Sequence, residues 1–271
     1  CRTVIIIFQI TIGGHNNDEF KETRKYEVKC MLELKELTKH FGEVKAVDRV
    51  SFRVERGEVF GLLGENGAGK TTTLRLLATM LKPTSGTAVV AGFDMVKEPE
   101  KVRKHIGILF GGESGLYDRL TAAENIEYFG KLNNMDKDEL KRRVQELTEI
   151  FGMGEYIHRK TGKFSKGMKQ KVAFARSIVH NPDIMLFDEP TSGLDVSAIR
   201  DVHDFIMDCK KAGKTIILSS HTMSEVEKLC DKIGIIHKGQ LADYGTIPQL
   251  TAKYKESSLE EVFIKLVGEK I

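Results

Sequence analysis

The sequence predicts an α/β fold built on a mostly parallel sheet, and three observations lead there. Short apolar runs at residues 59–63, 184–187, 215–218 and 233–236 read as buried strands. Stretches with helical spacing of apolar residues separate them. The first run closes on a glycine-rich turn that leads straight into a helical pattern, the strand–loop–helix unit from which such sheets are made.

The chain has 271 residues, 41% hydrophobic and 30% charged, an ordinary globular balance that allows one large domain or two modest ones. A net charge of +3 is too small to argue for a nucleic-acid partner, and none is expected. Cys1, Cys30, Cys209 and Cys230 form no C-x-x-C pair, which suggests neither a zinc site nor a disulfide framework and fits a reducing compartment. No apolar run approaches the ~20 residues of a membrane helix, so any membrane role must come through a partner.

Residues 1–30 differ in composition from the rest. An apolar, β-branched stretch at 4–12 is broken at 13–17 and followed by charges. One basic residue ahead of it and no small-residue cleavage site behind make it a poor signal peptide. The clean pattern starts at Met31, so residues 1–30 are expected to be leader or non-native extension outside the working domain. Leu32, Leu34 and Leu37 alternate, and residues 47–54 alternate again, as antiparallel strands with one wet face do. His40-Phe41-Gly42 between them is a turn carrying an aromatic. After the glycine-rich turn, residues 72–81 read as a helix ended by Lys82-Pro83. Short strands follow at 87–90 and 106–110.

Residues 121–158 are helical and charged, an insertion into the α/β pattern. Thr121 to Glu124 has the spacing of a capping box, and Leu140, Val144, Leu147 and Ile150 share one side of a helix over 136–151. Residues 165–179 read as a helix that Ser165 is able to cap. Further helices are expected at 196–211, 224–230, 246–253 and 257–267, and the run at 233–236 is the last clear apolar strand.

Gly64-Glu65-Asn66-Gly67-Ala68-Gly69-Lys70-Thr71 has the form G-x-x-x-x-G-K-T. The glycines let the backbone wrap an anion with successive N–H groups pointing inward, and the helix that follows aims its positive end at the same place. Lys70 supplies a mobile charge for β- and γ-phosphates, the Thr71 hydroxyl is placed to bind Mg²⁺, and Thr72 continues the cradle. Asp188 and Glu189 follow a buried strand, where one carboxylate is suited to hold a metal and its neighbour to polarise water. No N-K-x-D guanine signature is present, which favours adenine.

These motifs fall in the order of the ATP-binding cassette ATPases, and residues 31 to about 240 resemble that family along their length. The resemblance implies a nucleotide-binding cassette: a P-loop NTPase α/β core, an antiparallel β subdomain near the N-terminus, and an inserted helical subdomain at about 112–180. Residues 241–271 are expected to form a C-terminal helical extension. It implies ATP and Mg²⁺ as cofactors, Thr71 and Asp188 at the metal, Glu189 as general base, and His221 as the switch histidine on the γ-phosphate; the other seven histidines are read as structural or exposed. Phe41 matches the aromatic that stacks on adenine. Phe164-Ser165-Lys166-Gly167-Met168 resembles the family signature Leu-Ser-Gly-Gly-Gln, with Ser165 and Gly167 kept and Lys166 and Met168 departing from it. Ser165 and Gly167 are expected to meet the γ-phosphate bound to a second cassette subunit, most simply another copy. Ser192-Gly193-Leu194-Asp195 matches the loop that lies across that dimer seam.

The family places a glutamine where this chain has Gly111, followed by Gly112, Glu113 and Ser114. That loop, the signature variant and the run Leu259 to Phe263 resemble the cassette subunits of type-2 exporters, the sodium-efflux and drug-efflux branch. The function so implied is ATP hydrolysis powering transport through a separate integral-membrane permease, on the cytoplasmic face of the cell membrane. Two alternatives stand beside it: a cassette protein acting on ribosomes or DNA, and a nucleotide-binding switch with negligible turnover.

Overall fold

The computed structural model describes residues 30–110 and 115–268, and the expectation for residues 1–30 falls, but for Cys30, outside them. β1 (Cys30–Phe41) is the spine of an antiparallel sheet. It pairs with β2 (Val44–Val50) along one stretch and with β3 (Arg53–Glu55) along another. Residues 47–54, expected as one strand, are thus two. The chain turns at Ser51-Phe52, and each half satisfies a different part of β1. β4 (Val59–Leu63) leaves this sheet and enters the second one.

The helix α1 (Lys70–Leu77) starts two residues earlier than its apolar spacing indicates and ends four residues sooner. Gly69 caps it with φ 111°, a conformation closed to side-chain-bearing residues. Thr79 takes φ 57° at the other end, and Met80 N–H turns back to the Arg75 carbonyl at 3.0 Å. β5 (Ser85–Val90) returns to β1, and β6 (Phe93–Asp94) closes that sheet. α2 (Pro99–His105) was not visible in the periodicity because it buries only Val102. β7 (Ile106–Leu109) then joins the second sheet.

α3 (Ala122–Leu132), α4 (Lys137–Ile150) and α5 (Lys166–Ile178) pack on one another as the helical insertion. The capping box is present: Glu124 N–H donates to Thr121 Oγ1 at 3.1 Å and Thr121 N–H to Glu124 Oε2 at 2.7 Å. β8 (Ile184–Asp188), α6 (Val196–Lys211), β9 (Thr215–Ser220), α7 (Met223–Leu229) and β10 (Lys232–His237) complete the alternation.

β11 (Gln240–Gly245) pairs antiparallel with β10. The boundary drawn near residue 240 therefore falls at the start of a strand of the sheet. Helical structure begins only at α8 (Ile247–Tyr254), followed by α9 (Leu259–Gly268). β11 escaped notice because an edge strand with one wet face carries no apolar run.

The second sheet has the order β11-β10-β4-β9-β8-β7, parallel except for β11. Its inner strands are buried on both faces, as helix-covered parallel strands must be. Successive residues feed two cores. Val59, Leu63, Met185, Phe187, Ile216 and Leu218 face the helices, whereas Phe60, Leu62, Ile184, Leu186 and Ile217 face the antiparallel sheet. Phe52 stacks on Phe60 at 4.6 Å and 4°, joining the two sheets. Among the described residues no helix is long and apolar enough to cross a membrane.

Candidate functional site

The parallel register brings the ends of β4, β8 and β9 side by side, with Leu63 opposite Ser220 and Asp188 opposite Ser219. Loops leaving the carboxyl ends of adjacent parallel strands are where such sheets bind ligands. Here they carry residues 64–69, Glu189 and His221.

The loop 64–69 is held on both sides. Gly239 N–H donates to the Ala68 carbonyl at 2.9 Å, and Asp48 N–H to the Gly239 carbonyl at 2.7 Å. A Cβ on Gly64 would run into the Ile236 carbonyl, and one on Gly69 into the Ala46 carbonyl, so both glycines are required by close backbone approach. Glu65, Asn66 and Gly67 are exposed at the rim, while Ala68 is buried. The β1–β2 hairpin thus leans on this loop through Ala46. Phe41 sits at its tip, 49% exposed, with the Lys39 ammonium 5.1 Å from the ring centroid.

Lys70 is 4% exposed. Its ammonium donates to the carbonyls of Gly64 at 2.7 Å and Glu65 at 3.0 Å and lies 3.7 Å from Glu189 Oε1. Burial pushes its pKa below the usual lysine value, and the carboxylates of Glu189 and Asp188 oppose that shift. Thr71 Oγ1 donates to Asp188, 2.8 Å from Oδ2 and 3.0 Å from Oδ1. Ser219 Oγ donates to Asp188 Oδ1 at 2.6 Å. Glu189 N–H is shared between the Ser219 carbonyl at 3.2 Å and Ser219 Oγ at 3.0 Å. Glu189 has φ 46°, a strained left-handed backbone for a side-chain-bearing residue, of the kind that persists where surroundings over-determine it. Its Oε1 lies 3.2 Å from His221 Nδ1.

Lys70, Thr71, Asp188, Glu189 and His221 thus lie together at the ends of these strands. The donor set fits its expected ligands. A buried ammonium, a hydroxyl and one carboxylate suit phosphate and a hard cation that keeps waters and phosphate oxygens in its shell. Among the described residues no three His, Cys, Asp or Glu side chains form a metal cage of their own.

Ser165 and Gly167 stand apart from that cluster, at the start of α5. Ser165 is exposed and accepts from Met168 N–H at 3.3 Å, so it is the helix cap expected. Lys166, which replaces a glycine of the signature, lays its side chain over Gly193. Gln170 Nε2 donates to the Pro190 carbonyl at 2.9 Å. Within one chain the signature helix therefore touches the loop after Glu189. Ser219 and Gln170 were not singled out from the sequence; hydroxyls closing a buried strand are the signal for the first. Gly111 and Glu113 lie outside the described residues.

A family model described as ABC transporter matches residues 47–192. The ABC transporter ATP-binding protein NatA of Bacillus subtilis (strain 168) is 51% identical over 225 residues, covering 83% of this chain and 92% of its own length. The bacitracin transport ATP-binding protein BcrA of Bacillus licheniformis is 38% identical over 230 residues, covering 83% of this chain and 74% of its own. A solved dimeric ATP-binding cassette in a post-hydrolysis state, bound to ADP and Pi, has a TM-score of 0.73 at 26% identity over 80% of this chain and 98% of that one.

Proposed function

The chain belongs to the ABC transporter family and is its ATP-binding, ATP-hydrolysing subunit, and from that premise we propose which residues do the work and what the work drives. The loop 64–69 and Lys70 hold the β- and γ-phosphates of ATP, with Thr72 continuing the cradle, and Phe41 stacks on the adenine. Thr71 and Asp188 hold Mg²⁺, which when bound neutralises phosphate charge. Glu189 accepts the proton of the attacking water, and His221 fixes the Glu189 carboxylate from Nδ1 while reaching toward the γ-phosphate. Glu189 carries the strained backbone and sits between Lys70 and His221, which holds it at the mouth of the site.

Ser165 and Gly167 act on the ATP of a second copy: at the start of α5 they lie outside the hydrogen-bonded cluster of Lys70, Thr71, Asp188, Glu189 and His221. The dimeric relative bound to ADP and Pi supports that arrangement. The energy drives export through an integral-membrane permease, with this subunit on the cytoplasmic face. The relative whose printed role is bacitracin transport supports the transport reading. The permease contact is the groove of about 580 Å³ between α1, α2, α3 and α5, where Met80 and Leu132 leave 62% and 59% of their surface exposed.

The observation that carries this reading is the meeting of Lys70, Thr71, Asp188, Glu189 and His221 at the ends of three adjacent strands. It is tested by phosphate release from ATP and Mg²⁺, by the chain alone and by the chain co-purified with an integral-membrane permease. Turnover that rises on docking, and that Leu132→Asp uncouples without lowering the isolated rate, supports it. No phosphate release in either setting sinks it.

A further inference from the structure

We propose that Glu225 is a positioning residue for ATP hydrolysis, clasping from behind the two chain segments whose side chains meet in front as Glu189 and His221. The inference rests on the roles just assigned to those two residues.

Glu225 lies in the first turn of α7 and is 6% exposed. Both its carboxylate oxygens are used. Oε1 accepts from Thr191 Oγ1 at 2.8 Å and from His203 Nε2 at 3.3 Å, and Oε2 accepts from Ser220 Oγ at 2.6 Å. Thr191 follows Glu189 by two residues, and Ser220 immediately precedes His221. One buried carboxylate therefore ties the exit of the Glu189 segment to the entry of the His221 segment.

The proton positions follow from the chemistry of the groups. Lys228 Nζ lies 3.3 Å from His203 Nδ1, and an ammonium only donates, so Nδ1 accepts. Nε2 then carries the imidazole proton and donates it to Glu225. Ser220 Oγ accepts from Thr222 N–H at 3.0 Å, which leaves its own proton for Glu225. A buried carboxylate with three donors is satisfied; each donor it loses leaves a partly buried polar group without its partner. His203 comes from α6, which Asp195 caps, so the loop 192–195 is anchored to the same cluster.

This cluster lines a cavity of about 460 Å³ whose rim includes Glu189 and His221. Without Glu225, Thr191 loses its acceptor, and the strained backbone of Glu189 keeps its bonds to Ser219 and the one its carbonyl accepts from Ser192 N–H. The contacts of Lys70 to the Gly64 and Glu65 carbonyls do not involve Glu225. The defect should therefore fall on water positioning rather than on ATP binding.

The test is steady-state hydrolysis of ATP with Mg²⁺ by Glu225→Gln, with melting followed in parallel. Gln keeps the shape and turns an amide NH₂ toward groups that donate. The expected result is kcat lower by about 10-fold, on the scale of a reacting group held slightly out of place, with KM for ATP within about twofold of the parent. Thr191→Val should give a smaller loss, and adding it to Glu225→Gln should cost less than the sum, because both remove one bond. A parental kcat below the melting transition, with only a lowered Tm, overturns the inference. So does a loss that lies in KM alone. If Glu225→Gln does not fold, Thr191→Val and Ser220→Ala carry the test, and parental kcat in both overturns it. Glu189→Gln is run alongside. An inactive Glu189→Gln beside a fully active Glu225→Gln removes this inference and leaves the base in place, whereas a fully active Glu189→Gln removes the base and this inference together.

Discussion

Thr71 donates its hydroxyl to Asp188, lying 2.8 Å and 3.0 Å from the two carboxylate oxygens, although the two residues are 117 positions apart in sequence. They meet because α1 leaves β4 on the same edge of the sheet at which β8 ends. Both groups are hard oxygen donors, and Ser219 fixes the same carboxylate at 2.6 Å. Asp188→Asn keeps the shape and removes the charge a metal needs. Hydrolysis should fall by about 10²-fold or more, the scale of losing one preorganised electrostatic partner, and part of it should return at raised Mg²⁺. Parental rates at low Mg²⁺ would show that Asp188 is not at the metal.

Glu189 and Lys70 should separate on mutation although they lie 3.7 Å apart. Glu189→Gln should keep ATP affinity and slow hydrolysis by about 10²-fold or more, as loss of a general base does. Lys70→Ala should weaken ATP binding itself. Equilibrium binding of a fluorescent ATP analogue beside phosphate release distinguishes them. Equal affinity losses in both variants would refute the division of labour.

The parts of this molecule legible in the sequence are those where one physical demand fixes residue type. β4, β8 and β9 are covered on both faces, so their inner positions are apolar until the strand reaches the site. Gly64 and Gly69 are fixed by carbonyls that leave no room for a Cβ, and Gly67 by its positive φ. Asp188, Glu189 and His221 stand where buried strands stop. What stayed hidden depends on long-range register. Glu225 sits in the run Ser224-Glu225-Val226-Glu227-Lys228, which reads as a solvated helix face; it is buried because α7 turns that one carboxylate toward Thr191 and Ser220. α2 and β11 escaped because an exposed helix and a wet edge strand show little apolar periodicity.

The alkaline limit of stability should carry the signature of a buried thiol. Burial pushes the Cys209 pKa from 9.0 up to about 12. The folded state therefore keeps a proton that the unfolded chain gives up. This contribution is fully present below pH 9 and is lost as pH rises from there toward the folded value. Between pH 9 and 10.5 it amounts to roughly 2 kcal/mol at most. Urea unfolding of the parent should weaken over that interval more steeply than that of Cys209→Ala, whatever the difference between them at pH 8. Parallel curves would show that the thiol does not drive the loss.

Ser165 should act on its neighbour's ATP rather than its own. Its hydroxyl caps α5 through Met168 N–H and the residue is exposed, while Lys70, Thr71 and Asp188 form a separate cluster. A side chain that projects outward at a helix start presents N–H groups and a positive helix end to an anion on another molecule. Two inactive variants decide the matter. Ser165→Arg blocks that surface and leaves Lys70 intact; Lys70→Ala disables the phosphate loop and leaves Ser165 intact. If the serine acts across the dimer, mixing them creates pairs with one site made wholly of intact halves and the other carrying both lesions. The mixture should then hydrolyse ATP when neither variant does so alone. If the serine serves the ATP of its own chain, every site in the mixture carries a lesion and no activity returns. ATP binding by Ser165→Arg, measured separately, must stay near the parent value, because the blocked surface belongs to the other subunit's site; a loss of that binding would place Ser165 at its own phosphate loop.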